Sequence, residues 1–267
     1  MSKWKIYSLY YGEITCPKEV ATVGLDAGLK VTIPYMGYLL DNGSRKILVD
    51  AGIHERFIVN GKAWGMPAKG GSQYVKDSLE KVGVKPDDIE MVLYTHLHND
   101  HAGNCHLFKN ALHVFQDAEW KNLLDPMPIQ SFRGDYDLEI IPELKKLNCQ
   151  RVVGDGEIAP GIKFYKTPGH TLGSMAITVE TTNGVYVMTG DTAILKCNLF
   201  PKMDKMVLMN GEELKITPAP YAPVIPHALI IESSAWCQSI YRLKLLVKEE
   251  KYALTGHEPS LVSRAFP

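Results

Sequence analysis

The sequence lacks several things that would assign it quickly. It has no sustained apolar run long enough to cross a bilayer, and its most apolar late stretch, 221–231, is broken by Pro223, Pro226 and His227. The N-terminus, "MSKWKIYSLYYGEITCP", has no apolar core followed by a small-residue cleavage site, so the reading is a soluble, cytoplasmic protein without a membrane partner. Charge of either sign is not in excess. The formal net charge is −1 and no Lys/Arg-rich run occurs, which removes the phosphate-neutralising surface that nucleic-acid binding needs. A small molecule is the expected partner. Five cysteines (Cys16, Cys105, Cys149, Cys197, Cys237) are odd in number and never in Cys-x-x-Cys spacing, which excludes a disulfide framework and a thiolate zinc ribbon. There is no Gly-x-Ser-x-Gly elbow for a serine triad, no internal repeat and no interdomain linker. One domain over 1–267 is expected.

What is present is an alternation of strands, turns and helices. "YMGYLL" (35–40), the turn 41–44 with Asn42-Gly43, and "KILVD" (46–50) predict a strand hairpin. A helical period over 73–82 is stopped by Gly83 and Pro86, and the strand "IEMVLYT" (89–95) follows. "ALHVFQ" (111–116) predicts a strand, Asp117 through Leu124 a helix, and then a proline-punctuated loop. Further strands are expected at 162–167, 175–181 and 185–191, a late helix around Ile240, Leu243, Lys244 and Val247, and a short strand at 252–255. Residues 198–227, rich in proline and methionine, have no period and read as a partly ordered excursion near one rim.

The chemistry concentrates in "THLHNDHAG" (95–103), where His96, His98, Asp100 and His101 occupy six positions at a strand end. Imidazole and carboxylate are what zinc and similar divalent ions bind when no thiolate is offered. His96 and His98 can turn to one side while Asp100 and His101 diverge from them. These ligands are too few to complete two catalytic sites, so His170, Asp191 and His257, each also at a strand end, are the expected contributors. A carboxylate can bridge ions about 3.5–4 Å apart, and Asp191 is the candidate bridge. His54, His106, His113 and His227 lack such company and read as structural.

These residues resemble the metallo-β-lactamase superfamily. The likeness runs through "LVDAG", "THLHNDHAG", "TPGHTLGS", "GD" at 190–191 and "GHE" at 256–258, in order and over nearly the whole chain. It implies an αββα sandwich of two mixed sheets with helices outside and metals at one rim. Within the superfamily, "VKDSLEKVGVKPDDIEMVLYTHLHNDHAGN" looks most like the N-acyl homoserine lactonase group. That resemblance implies His96, His98 and His170 around one ion and Asp100, His101 and His257 around a second. Asp191 would lie between them, and Asp50 would orient the ligand loop. The ions would be zinc, with iron, manganese or cobalt also suited to such ligands. His98, where flavodiiron oxygen reductases carry Glu, favours hydrolysis over redox chemistry.

The implied reaction is the opening of a lactone or a related ester by metal-activated water, with Asp100 orienting that water. One residue departs from the group. Three positions after Asp191, where those lactonases carry a tyrosine that contacts the lactone oxygen, this chain has Ile194. Tyr221, in the irregular segment, is the candidate replacement. Two alternatives stay open: a glyoxalase II-like thioester hydrolase, thinly supported by Lys244, Lys248 and Lys251, and a metal-containing ligand-binding or signalling protein with little turnover.

Overall fold

The computed structural model describes residues 3–267. Two mixed sheets account for most of the strands. The first runs, in spatial order, Lys62–Ala63, Met66–Gly70, Lys5–Pro17, Lys30–Asp41, Lys46–Val49, Met91–Leu93, Leu112–Gln116 and Asn148–Val152, with Ala265–Phe266 also paired to Lys5–Pro17. The second runs Ala253–Thr255, Gly184–Gly190, Met175–Thr181, Ile162–Lys166 and Gly156–Ala159. Pairing is parallel from Lys46–Val49 through Asn148–Val152 and again between Gly184–Gly190 and Ala253–Thr255.

The period of two along each strand separates the layers. Ile47, Val49, Met91, Leu93, Tyr38 and Leu40 point inward to meet Ile177, Val179, Met188 and Leu254 of the second sheet. The intervening Leu39, Leu48 and Val92 point outward against Val75 and Leu79 of the helix Ser72–Glu80, and the same cluster takes in Ile140 and Leu144 of the helix Ile140–Lys146. On the far side Ala176, Val187 and Ala253 pack against Trp236, Ile240 and Leu243 of the helix Ser233–Leu246. Strands buried on both faces read as continuous apolar runs, which is why "KILV" and "MVL" show no alternation of polarity. The layers are therefore α, β, β, α, as the resemblance implies.

Three segments differ from the sequence reading. The longest strand, Lys5–Pro17, was not anticipated because its alternation changes phase. Leu9 and Tyr11 face the outer core, but after the register shift between Tyr10 and Gly12 so do Ile14 and Cys16. One inserted residue in a bulge moves the apolar set from odd to even positions. Gly12 makes it possible, with φ +126° and backbone so close that a β-carbon would lie 2.0 Å from the Lys69 carbonyl oxygen. The proline-punctuated loop after Leu124 contains two helices, Pro128–Arg133 and Ile140–Lys146. The first has Pro at its start and left-handed Gly134 (φ +70°) at its end.

The excursion 198–227 is ordered. It carries the hairpin Lys205–Val207 and Glu213–Lys215, buries Met206, Ile216 and Ile225, and is tied down at both ends. Asn198 Nδ2 donates to the carbonyls of Ala21 (2.8 Å) and Ile225 (2.9 Å), and Thr217 Oγ1 donates to Asp26 (2.6 Å). Buried Lys18 completes that anchor through an ion pair of 2.7 Å with Asp26. The five cysteines are unpaired, with Cys16, Cys105 and Cys197 buried. No helix among the described residues is long and apolar enough to cross a membrane.

Candidate metal centre

The strand Met91–Leu93 ends below the loop that carries His96 and His98, and the short helix Asn99–Ala102 presents Asp100 and His101. His170 comes from the turn between the strands Ile162–Lys166 and Met175–Thr181. Asp191 follows Gly184–Gly190, and His257 follows Ala253–Thr255. The structure brings all seven together at one rim, six of them buried and Asp100 nearly so.

The hydrogen bonds on the far side of each ring decide which nitrogen faces the cluster. His170 Nδ1 donates to the Leu229 carbonyl (3.2 Å), and His257 Nδ1 to the Pro34 carbonyl (2.8 Å). His101 Nδ1 donates to Asp50 Oδ2 (2.8 Å). Thr95 Oγ1 gives its one proton to Asp50 Oδ2 (2.8 Å) and so accepts from His96 Nδ1 (3.1 Å). In the neutral form that binds metal, the Nε2 atoms of these four imidazoles therefore carry the lone pairs and point inward. His170 Nε2 lies 3.2 Å from His96 Nε2 and 3.0 Å from His98 Nδ1. The two inward Nε2 lone pairs of His170 and His96 repel at that distance unless a cation sits between them. Two nitrogens held tetrahedrally at 2.0–2.1 Å from one ion stand about 3.3–3.4 Å apart, close to what is seen.

A second group forms around His101 Nε2, His257 Nε2 and Asp100. Asp100 Oδ1 is 3.8 Å from the former and its Oδ2 is 3.7 Å from the latter. Asp191 stands between the groups. Its Oδ1 is 3.4 Å from His101 Nε2 and 3.2 Å from His257 Nε2, while Oδ2 is 3.3 Å from His257 Nε2 and 3.6 Å from His170 Nε2. His101 Nε2 and Asp191 Oδ1 are buried with no hydrogen-bond partner among the described residues, a costly arrangement that a metal ion relieves. The donor set thus fits divalent ions.

Electrostatics agree with this. Burial holds His96, His98 and His170 neutral, the last with its pKa pushed down to about 4. For His101 and His257 burial acts the same way, but the facing carboxylates outweigh it and raise both. Asp191 is held low because His257 and His101 outweigh its burial, whereas burial raises Asp100. Close packing fixes the Asp191 carboxylate: a β-carbon on Gly256 would lie 2.3 Å from Asp191 Oδ1.

Asp50 sits where expected, binding Thr95 and His101 from a left-handed backbone position (φ +60°) that costs energy for a non-glycine residue. Sequence reasoning missed Glu119. Fully buried, it accepts from Leu97 N (3.0 Å), Tyr136 Oη (2.8 Å), Thr171 Oγ1 (2.5 Å) and Gly173 N (3.1 Å), so one carboxylate joins the His96/His98 loop to the His170 loop. Its only sequence signal was an acid in the first turn of the helix Asp117–Leu124.

Tyr221 is not part of the site. Its side chain is fully exposed and lines none of the cavity beside the cluster, because Pro220 and Pro223 flank it in an outward turn. Ile194 is buried on the cavity wall. Of the lysines considered for thioester binding, none lines this cavity, and Lys251 pairs with Glu249 (3.0 Å). His113 is bonded within the core to Tyr94 and Phe108, and His54 stacks with His106. His227 packs edge-on against His170 at 5.6 Å between ring centres, company that the sequence did not reveal.

The cavity, about 300 Å³, opens onto His98, Asp100, His170, Asp191 and His257. Most of its wall is apolar, from Ile14, Val20, Ile33, Met66, Ile194 and Leu229. Cys16 also lines it, with its thiol pushed up to about 11 by burial, which denies it a thiolate role near neutral pH.

Paired sheets with outer helices, and a rim cluster of imidazole and carboxylate beside an apolar cavity, define a metal-dependent hydrolase. The chain matches the model of the Metallo-beta-lactamase superfamily over residues 35–202, and it belongs to that superfamily. An N-acyl homoserine lactonase of Bacillus thuringiensis is 28% identical over 100% of this chain and 99% of its own length. One from Bacillus cereus is 27% identical over 89% and 98%. Among solved structures, an N-acyl homoserine lactone hydrolase with the product N-hexanoyl-L-homoserine bound at its catalytic metal centre superposes with a TM-score of 0.75 at 27% identity. That match covers 96% of this chain and 94% of the other.

Proposed function

We propose that this chain is a dinuclear metal-dependent lactone hydrolase, acting on lactones of the acyl homoserine class or on closely related esters. The observation that carries the reading is Asp191, whose carboxylate lies within reach of both histidine groups at once, 3.6 Å from His170 Nε2, 3.4 Å from His101 Nε2 and 3.2 Å from His257 Nε2. His96, His98 and His170 would hold one ion and Asp100, His101 and His257 the other, with zinc the best match to the nitrogen-rich donors. When bound, such ions polarise a carbonyl and lower the pKa of water from 15.7 to about 7.

The chain's own groups supply the rest. Asp100, at the junction of cluster and cavity, orients the attacking water by accepting its hydrogen bond. The apolar wall excludes bulk water and receives the hydrocarbon part of the substrate. Ile194 cannot donate a proton and Tyr221 is turned away, so neither supplies a hydrogen bond to the leaving oxygen.

The test is a turnover panel of lactones, alkyl esters and thioesters on protein of measured metal content. Lactone turnover that scales with metal content is expected. A fully metallated protein inactive on lactones but active on acyl-glutathione would replace this reading by the thioester one, and ligand binding without turnover on any member would point to a binding protein.

A further inference from the structure

One wall of the cavity breaks its apolar character. Arg133, the last residue of the helix Pro128–Arg133, lines the cavity together with Asn99 and Asp135. The guanidinium is anchored in a fork: Nε lies 3.1 and 3.0 Å from the Asp135 oxygens and Nη2 lies 2.6 Å from Oδ2. Nη1 donates to nothing among the described residues. The side chain remains partly open, at 19% of its surface. Planar, bidentate pairing of this kind fixes the plane of an arginine and so aims its remaining donors.

Asn99 belongs to the same piece of structure. Its backbone N–H donates to the Asp135 carbonyl (2.9 Å) and its Nδ2 to the Gly134 carbonyl (2.9 Å), which fixes the orientation of the amide. Asn99 Oδ1 is then left buried with no donor among the described residues. A spare acceptor and a spare donor therefore stand on one rigid wall, next to His98 and Asp100. A buried polar atom without a partner is expensive, and a ligand that supplies one recovers that cost.

We propose that Arg133, aligned by Asp135, and Asn99 determine specificity by reading a secondary amide in the non-reacting part of the substrate. Arg133 Nη1 donates to the amide carbonyl and Asn99 Oδ1 accepts from its N–H. Asp135 already balances the guanidinium charge, so the wall favours a neutral carbonyl over a carboxylate. Neither group touches the reacting bond, and both act on binding. The inference rests on the lactone reading above and adds which groups on the substrate this chain selects.

The test compares N-hexanoyl homoserine lactone with an alkyl-substituted γ-lactone of equal length in which methylenes replace the amide. Both are assayed with wild type, with R133K, which keeps the charge beside Asp135 but loses the fork, and with R133M/D135N, which removes both charges together. Wild type should show the lower KM for the amide lactone, and each variant should lose roughly tenfold of that preference, the size of one hydrogen bond to a charged group. Calorimetric binding of N-hexanoyl-homoserine, the ring-opened product, gives a readout independent of turnover and should weaken in parallel. Variants with normal metal content that keep the wild-type preference and product affinity would overturn the subsite alone. A metallated wild type that neither turns over nor binds either lactone would overturn the lactone reading and the subsite with it.

Discussion

Glu119 offers the sharpest test of how the centre is held. It carries no direct contact to the proposed ions, yet its carboxylate takes hydrogen bonds from Leu97 and Tyr136 through Oε1 and from Thr171 and Gly173 through Oε2. Burial raises its pKa, and the donors from Thr171, Leu97, Tyr136 and Gly173 work to keep it ionised. Changing Glu119 to Gln keeps the shape but turns one acceptor into a donor that faces donors. Each buried hydrogen bond lost to a charged acceptor is worth about 1.5–3 kcal/mol, and contacts sharing one carboxylate are not additive. A net loss of about 2–4 kcal/mol on urea unfolding is expected. Because the bonds tie the His96/His98 loop to the His170 loop, metal affinity measured by chelator competition should fall about 10–100-fold, the usual size of effects transmitted through ligand-orienting groups. T171V should cause part of the same loss, and the double variant E119Q/T171V less than the sum. If E119Q bound metal with wild-type affinity while losing stability, Glu119 would be a packing residue and the tether argument would fail.

Three further outcomes follow from the geometry. Asp191→Asn should reduce metal content and turnover together while the fold persists, since only the bridging charge is lost; full metal content with full activity would remove the bridge. Gly256→Ala places a carbon 2.3 Å from the starting position of Asp191 Oδ1 and should lower metal stoichiometry, read by emission spectroscopy, far more than it lowers Tm. In metal-free protein His170 and His227 have pKa values of about 4 and about 3, against an unfolded value near 6.5. Below about pH 6.5 the unfolded chain binds protons at these two rings first, so the stability they contribute is full above that pH and is lost as the pH drops towards 4, against an opposite contribution from His101 and His257, whose pKa values are raised. A urea midpoint independent of pH across that window would contradict the burial of these rings.

The cluster of candidate ligands was legible because few other needs put His-x-His-x-Asp-His at a strand end, and because His170, Asp191 and His257 end strands of their own. The inner strands were legible from runs such as "KILV" and "MVLYT", whose apolar character follows from burial on both faces. Lys5–Pro17 was not, since the bulge at Gly12 breaks the alternation on which recognition of a strand depends. Glu119 was hidden for a different reason. An acid in the first turn of a helix is common as a partner for the helix dipole, and only the arrival of Leu97, Tyr136, Thr171 and Gly173 from elsewhere gives it another meaning. The proposed role for Tyr221 failed on similar grounds: proximity in sequence to a rim segment says nothing about which way a turn between prolines points its side chain.

The centre's directionality belongs to the fold before any ion arrives. The outer nitrogens of His96, His101, His170 and His257 are bonded to Thr95, Asp50, the Leu229 carbonyl and the Pro34 carbonyl, groups drawn from the ligand loop, the end of Lys46–Val49, the segment that follows the excursion and the strand Lys30–Asp41. Each bond fixes a tautomer and aims a lone pair inward, and each requires its segment to have docked. The segment just after the excursion accordingly has two roles, since Leu229 both lines the cavity wall and orients His170 through its carbonyl. Substrate preference and ligand geometry are coupled there. Substitutions that reshape the apolar wall around Leu229 therefore act on the metal centre as well, whereas those on the Arg133 wall leave the tautomer-fixing bonds of these four histidines untouched.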